Sequence, residues 1–105
     1  MLFRSLSIKV KGEIVYQGRT VPVELMDISQ KGVKIRSPFI SQGDELVVLI
    51  DGLEPRRAIA KWAKAGIAGL NFLRPIDFDQ LGEWAVRAQM GIVNGVQAPE
   101  ERRKA

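Results

Sequence analysis

Polar and apolar positions alternate through the first part of the chain. Ile8, Val10, Ile14 and Tyr16 fall at even positions, with Gly12 among them, while Lys9, Lys11 and Glu13 fall at odd ones. A period of two predicts a strand with one wet face. Gln17-Gly18-Arg19 then reads as a hairpin turn. Val21, Val23 and Leu25 carry a second strand, and the loss of alternation over Leu25-Met26-Asp27-Ile28 predicts a bulge at its end. Val33 and Ile35 make a short third strand, which Ser37-Pro38 breaks. After the Gly43-Asp44 turn, Glu45 to Ile50 is apolar beyond its first residue, the pattern of a strand buried on both faces. Asp51-Gly52 turns the chain again. Ala58, Ala60 and Trp62 are predicted to share one face of a fifth strand, with Ile59 and Lys61 on the other. Ala65-Gly66 is a further turn, and Gly69, Leu70 and Phe72 lie in a sixth strand. Six short strands at this spacing predict a small antiparallel barrel.

The period then changes. Phe78, Leu81, Ala85, Ala88 and Ile92 follow helical spacing, and Trp84 adjoins their stripe. Asp77 followed by Gln80 suggests a capping box, and Gly91 suits the helix end. The fold expected is therefore all-β with one C-terminal helix, which covers an opening or face of the barrel. Residues 1–93 are expected to form this domain, and residues 94–105, small, polar and charged, a disordered tail.

A chain of 105 residues suffices for one domain with a real core. It has no histidine and no cysteine, so the usual general base, the commonest metal ligand and any thiolate or disulfide chemistry are missing. An enzyme is the least favoured class, because the serines have no histidine to activate them, and no cofactor or metal is expected. The longest apolar run, Leu46 to Ile50, is far too short to span a bilayer, and Met1-Leu2-Phe3 meets a charge at once, so a cytoplasmic protein without membrane insertion is expected. The formal net charge of +4 is unevenly spread. Residues 1–36 hold seven positive residues (Arg4, Lys9, Lys11, Arg19, Lys31, Lys34 and Arg36) against Glu13, Glu24 and Asp27, which accounts for the whole excess. That third of the chain favours an anionic partner, or is simply a solvated face.

Between the second and third strands stands Asp27-Ile28-Ser29-Gln30-Lys31-Gly32. Asp and Ser can bond nearby backbone N–H groups, and Gly can supply a positive φ. An ordinary strand connection would use the same residues. An ionised Asp27 only accepts hydrogen bonds, which suits a ligand's N–H edge as well as turn capping. Ser29 has the same two readings, and Gly32 serves backbone geometry or lets a flat base approach. Trp62, between Lys61 and Lys64, can stack on a base or fill a core. Trp84, on the helix stripe, reads as core.

In these features the chain resembles a PilZ domain. Asp27-x-Ser29-x-x-Gly32 is similar to that family's D/N-x-S-x-x-G motif. Gln42 to Leu46 resembles its turn into the next strand, and Ala58 to Phe72 its late hairpin. The resemblance implies a six-stranded antiparallel PilZ-like β-barrel capped by an α-helix. It also implies a non-enzymatic bacterial receptor for cyclic di-GMP in second-messenger signalling. In such domains an R-x-x-x-R motif grips phosphates and guanine edges. Here Arg4 is the only arginine before the first strand, so that motif is incomplete, and Arg4 fills at most its second position. The candidate ligand-binding residues are Arg4, Asp27, Ser29 and Gly32, which the resemblance implies, and Trp62, from its stacking chemistry. Two alternatives stand beside the receptor: a PilZ-like adaptor that has lost the nucleotide and works through protein contacts in motility or surface behaviour, and a basic barrel binding single-stranded nucleic acid. The latter is disfavoured, because aromatic residues are only 7% of the chain and mostly sit where a core wants them. A downstream protein partner is expected in either of the first two.

Overall fold

The alternation closes on itself. In the computed structural model, which describes residues 6–89, the strands are β1 (Leu6–Tyr16), β2 (Arg19–Ile28), β3 (Gly32–Arg36), β4 (Glu45–Leu49), β5 (Arg56–Lys64) and β6 (Ile67–Phe72), followed by helix α1 (Phe78–Gln89). They form a closed antiparallel barrel in the order β1-β2-β3-β6-β5-β4, with β4 returning to β1. The closing seam is short, Glu13 to Val15 of β1 against Val47 to Leu49 of β4. Two hairpins are tight: Gln17 and Gly18 have φ of 51° and 76°, and Ala65 and Gly66 have 55° and 80°. Two successive positive φ values give the primed turn that matches strand twist.

Every second residue faces one interior. Val10 and Ile14 on β1, Val23, Leu25 and Ile28 on β2, Val33 and Ile35 on β3, and Leu70 and Phe72 on β6 belong to a single buried cluster. β4 departs from the expected two-sided burial. Leu46 and Val48 are buried, but Val47 and Leu49 are only half-buried. A closed barrel has one inside, and the outer face of β4 has no second layer over it.

The helix supplies Leu81, Trp84, Ala85 and Ala88 to the same cluster. Because the sheet is antiparallel throughout, the start of β1, the β2–β3 and β4–β5 turns and the exit of β6 gather at one end. α1 packs there. Trp84 Nε1 donates to the Asp51 carbonyl at 2.8 Å, tying the helix to the β4–β5 turn. At its start the Asp77 carbonyl accepts from the Leu81 N–H at 2.9 Å. The capping box is not its device: the Gln80 side-chain oxygen accepts from Arg56 at 3.4 Å. Gly91, Ile92 and residues 94–105 lie outside the described residues, as does Arg4. Among the described residues no helix is long and apolar enough to cross a membrane.

Candidate functional site

Among the described residues three register shifts interrupt the alternation, one in β1 between Ser7 and Val10 and two that change what faces outward at the site. In β2 the register to β3 shifts between Leu25 and Asp27. In β5 the register to β6 shifts between Ala60 and Trp62. Under strict alternation Asp27 would follow Leu25 inward and Trp62 would follow Ala60 inward. With the shifts, Ile28 and Ala63 turn toward the interior, and Asp27 and Trp62 turn out. Trp62 thus leaves the face it was expected to share with Ala58 and Ala60. It is 44% exposed, whereas Ala60 is buried.

The outward residues line up across the sheet. Asp27 pairs with Lys34, Lys34 with Gly69, and Gly69 with Trp62. A Cβ on Gly69 would run into the Trp62 indole. The ring therefore lies on the bare backbone of β6, covering a glycine that would otherwise expose it. Lys34 Nζ is 3.0 Å from Asp27 Oδ2. Together with Ser29, Lys31, Gly32 and Asn71 these residues border an open depression of about 240 Å³.

The floor and rim of this depression are stiff. Ser29 Oγ accepts the N–H groups of Lys31 at 3.3 Å and Gly32 at 3.2 Å, and donates to the Gly32 carbonyl at 3.3 Å. Gln30 makes a two-way bond with Ile76: its carbonyl accepts the Ile76 N–H at 2.7 Å, and its Nε2 donates to the Ile76 carbonyl at 3.1 Å. The Lys31 carbonyl accepts from the Phe72 N–H at 2.8 Å. The turn is thereby fastened to the segment that enters α1. Gly32 does not have the positive φ the turn was expected to use; among the described residues the glycines that do are Gly18, Gly43, Gly52 and Gly66. Its reason is space. A Cβ there would collide with the Leu70 carbonyl on β6.

Of the residues singled out from the sequence, Asp27, Ser29, Gly32 and Trp62 meet at this depression. Arg4 is outside the described residues, but Leu6 pairs with Ile28, so β1 starts beside the Asp27–Gly32 turn. Lys34, weighed from the sequence only as a cation for phosphate or a solvated lysine, and Asn71, given no role there, also border the depression. The register carries them there: a three-residue connection between β2 and β3, with one bulged residue, sets Lys34 opposite Asp27. The basic excess of the first third is partly compensated here, since Arg36 also pairs with Glu24 at 3.1 Å.

The arrangement offers a flat apolar face at Trp62, an acceptor at Asp27, a cationic donor at Lys34 and an amide at Asn71. It can hold a planar ring and read its polar edge. Among the described residues no cluster of carboxylates, histidines or cysteines suits a metal ion. A larger depression of about 510 Å³ lies elsewhere, between Lys11, Glu13, Pro22, Asp51, Leu53 and Pro55. Among the described residues it presents no aromatic face, and Asp27, Ser29, Gly32 and Trp62 do not border it. Compared with models of protein families and with curated proteins, the chain matches none.

Proposed function

We propose that this chain is a non-enzymatic receptor domain of the PilZ type, binding cyclic di-GMP in a bacterial cytoplasm and passing the signal to a protein partner. The observation that carries the reading is the meeting of Asp27, Ser29, Gly32 and Trp62 at one depression, brought about by bulges in two separate strands. In this reading a guanine stacks on the exposed Trp62 face. The Asp27 carboxylate accepts from its N1–H and N2–H₂ groups. Ser29 and Gly32 shape the turn beneath it. Arg4, two residues before Leu6 and so at most about 8 Å along the chain from it, closes over a phosphate.

Calorimetric titration of cyclic di-GMP into the full chain tests this, with Asp27→Ala and Arg4→Ala variants alongside. Saturable heat that weakens about tenfold or more in each variant supports the receptor. No heat with the folded wild-type chain sinks it.

A second reading is an adaptor that works without the nucleotide. It is favoured by one feature of the turn: the Ser29 hydroxyl is spent on Lys31 and Gly32, and Asp27 is engaged by Lys34. Such a protein needs only contact surface, and Phe39, Leu73 and Val86 are exposed apolar side chains. Absence of nucleotide binding together with capture of one defined protein partner distinguishes it.

A further inference from the structure

Lys34 occupies the centre of the outer row, between Asp27 on one side and Gly69 with its covering indole on the other. Neighbouring strands are about 4.8 Å apart, so a purine stacked on the Trp62 ring needs to extend only about one strand spacing to reach Lys34. The Lys34 ammonium is held 3.0 Å from Asp27 Oδ2, with the two side chains 37% and 26% exposed. A cation locked to a carboxylate has much of its long-range field cancelled. It is a weak attractor of phosphate and a well-oriented donor. Lys31, exposed at the tip of the turn, is the better-placed cation for phosphate.

We infer that Lys34 is a base-reading residue: the Asp27–Lys34 pair recognises the edge of a guanine, Lys34 donating to O6 while Asp27 accepts from N1–H and N2–H₂. The inference rests on the cyclic dinucleotide reading of the same depression and adds its base selectivity. An ammonium can only donate and a carboxylate can only accept. The guanine edge runs acceptor, donor, donor, which the pair meets with three bonds. In the same register the adenine edge turns its amino donor to the ammonium and its ring acceptor to the carboxylate, so Lys34 meets no acceptor and the carboxylate loses water without a partner. Lys34 thus discriminates between bases.

The test is titration of wild type and Lys34→Met with cyclic di-GMP, cyclic di-IMP and cyclic di-AMP, the weakest read by displacement at high concentration. Methionine keeps the apolar stem and removes the donor. Cyclic di-IMP keeps O6 and N1–H and lacks the 2-amino group. In the wild type, affinity falls from cyclic di-GMP to cyclic di-IMP to cyclic di-AMP. Lys34→Met weakens the first two by the same factor, about three- to tenfold, and leaves the third unchanged, so the guanine-to-adenine ratio shrinks by that factor. Lys34→Arg, which keeps a donor, restores most of the ratio. Equal loss for all three ligands makes Lys34 a phosphate cation and overturns the inference. No loss for any, with the thermal midpoint unchanged, makes it an idle surface charge and overturns it too. Wild type that binds none of the three removes the nucleotide reading itself, and the inference falls with it.

Discussion

Trp84 and Trp62 are the same residue type used in opposite ways. Trp84 is fully buried in the interior cluster, with its Nε1 satisfied by the Asp51 carbonyl. Trp62 lies on the outside of the barrel, nearly half exposed, over a glycine. The interior obeys periodicity: a residue is inside because its place in the repeat points inward. The outer row obeys an exception, one extra residue in β2 and one in β5, and the side chains that the exceptions turn out are the ones with binding chemistry. Bulges that re-aim a side chain are over-represented at barrel rims and next to active sites, which supports placing the ligand here. The sharpest way to break this contrast is to truncate both rings. Trp84→Ala should cost about 3–5 kcal/mol of unfolding free energy, through the lost burial, the cavity and the abandoned carbonyl. Trp62→Ala should cost about 1 kcal/mol or less, while weakening any ligand that stacks there. Urea unfolding of both variants measures this, and comparable losses would erase the distinction between the regions.

Two glycines refine the comparison. At Gly32 and at Gly69 an added Cβ has no room, yet the neighbours differ. Gly32 faces the Leu70 carbonyl, which is backbone within the β3–β6 ladder. Gly69 faces the Trp62 indole, a side chain with solvent beyond it. Gly32→Ala must therefore move a strand, at about 1–3 kcal/mol. Gly69→Ala need only lift the ring, and the alanine recovers part of the cost by restricting the unfolded chain. The larger stability loss should fall on Gly32→Ala, and the larger change in tryptophan fluorescence on Gly69→Ala. The reverse ranking would mean that the indole, not the ladder, is the rigid partner.

These contrasts also mark what could be read in advance. The strands and the helix were legible because apolar residues repeat at two and then at helical spacing, and Gly18, Gly52 and Gly66 punctuate them. The bulge in β2 was legible because alternation visibly fails at Met26. The bulge in β5 was not: Ala58, Ala60 and Trp62 continue the period-two pattern on paper, and only the register opposite Gly69 reveals that Trp62 has turned out. Ile76 was missed for a related reason. It is a single apolar residue between Pro75 and Asp77, with no period to mark it, yet it is buried and clamped by Gln30. Gly32 was expected for its conformational freedom and is needed instead for its missing Cβ, a difference only a facing strand can make. Asp27, Ser29, Gly32 and Trp62 could be chosen by chemistry, but their meeting, and the place of Lys34 among them, depends on pairing between strands far apart in the chain.

The smallest effect expected is at the opposite end of the barrel from the helix. There Tyr16 donates to Asp44 Oδ2 at 2.7 Å, and the same oxygen accepts the Ser41 N–H at 2.9 Å, fixing the β3–β4 loop against the end of β1. The Tyr16 hydrogen bond first, and the Ser41 amide second, hold the Asp44 carboxyl below its ordinary value. The bond to Asp44 likewise raises the Tyr16 phenol, helped by desolvation and by the Asp44 charge. A depressed carboxyl stabilises the fold above its unfolded value, near 4, and loses that contribution as pH falls through the folded value. A raised phenol stabilises it below about 10 and loses that contribution as pH rises further. The contact therefore acts across the neutral range and fades at both extremes. Because both groups face water, the gain is small. Tyr16→Phe should lower the thermal midpoint slightly at pH 7, and the gap from wild type should shrink by pH 3. A gap that stays constant from pH 7 to pH 3 would show that Tyr16 acts by packing its ring alone, and that this end of the barrel, like the Trp84 end, is governed by burial.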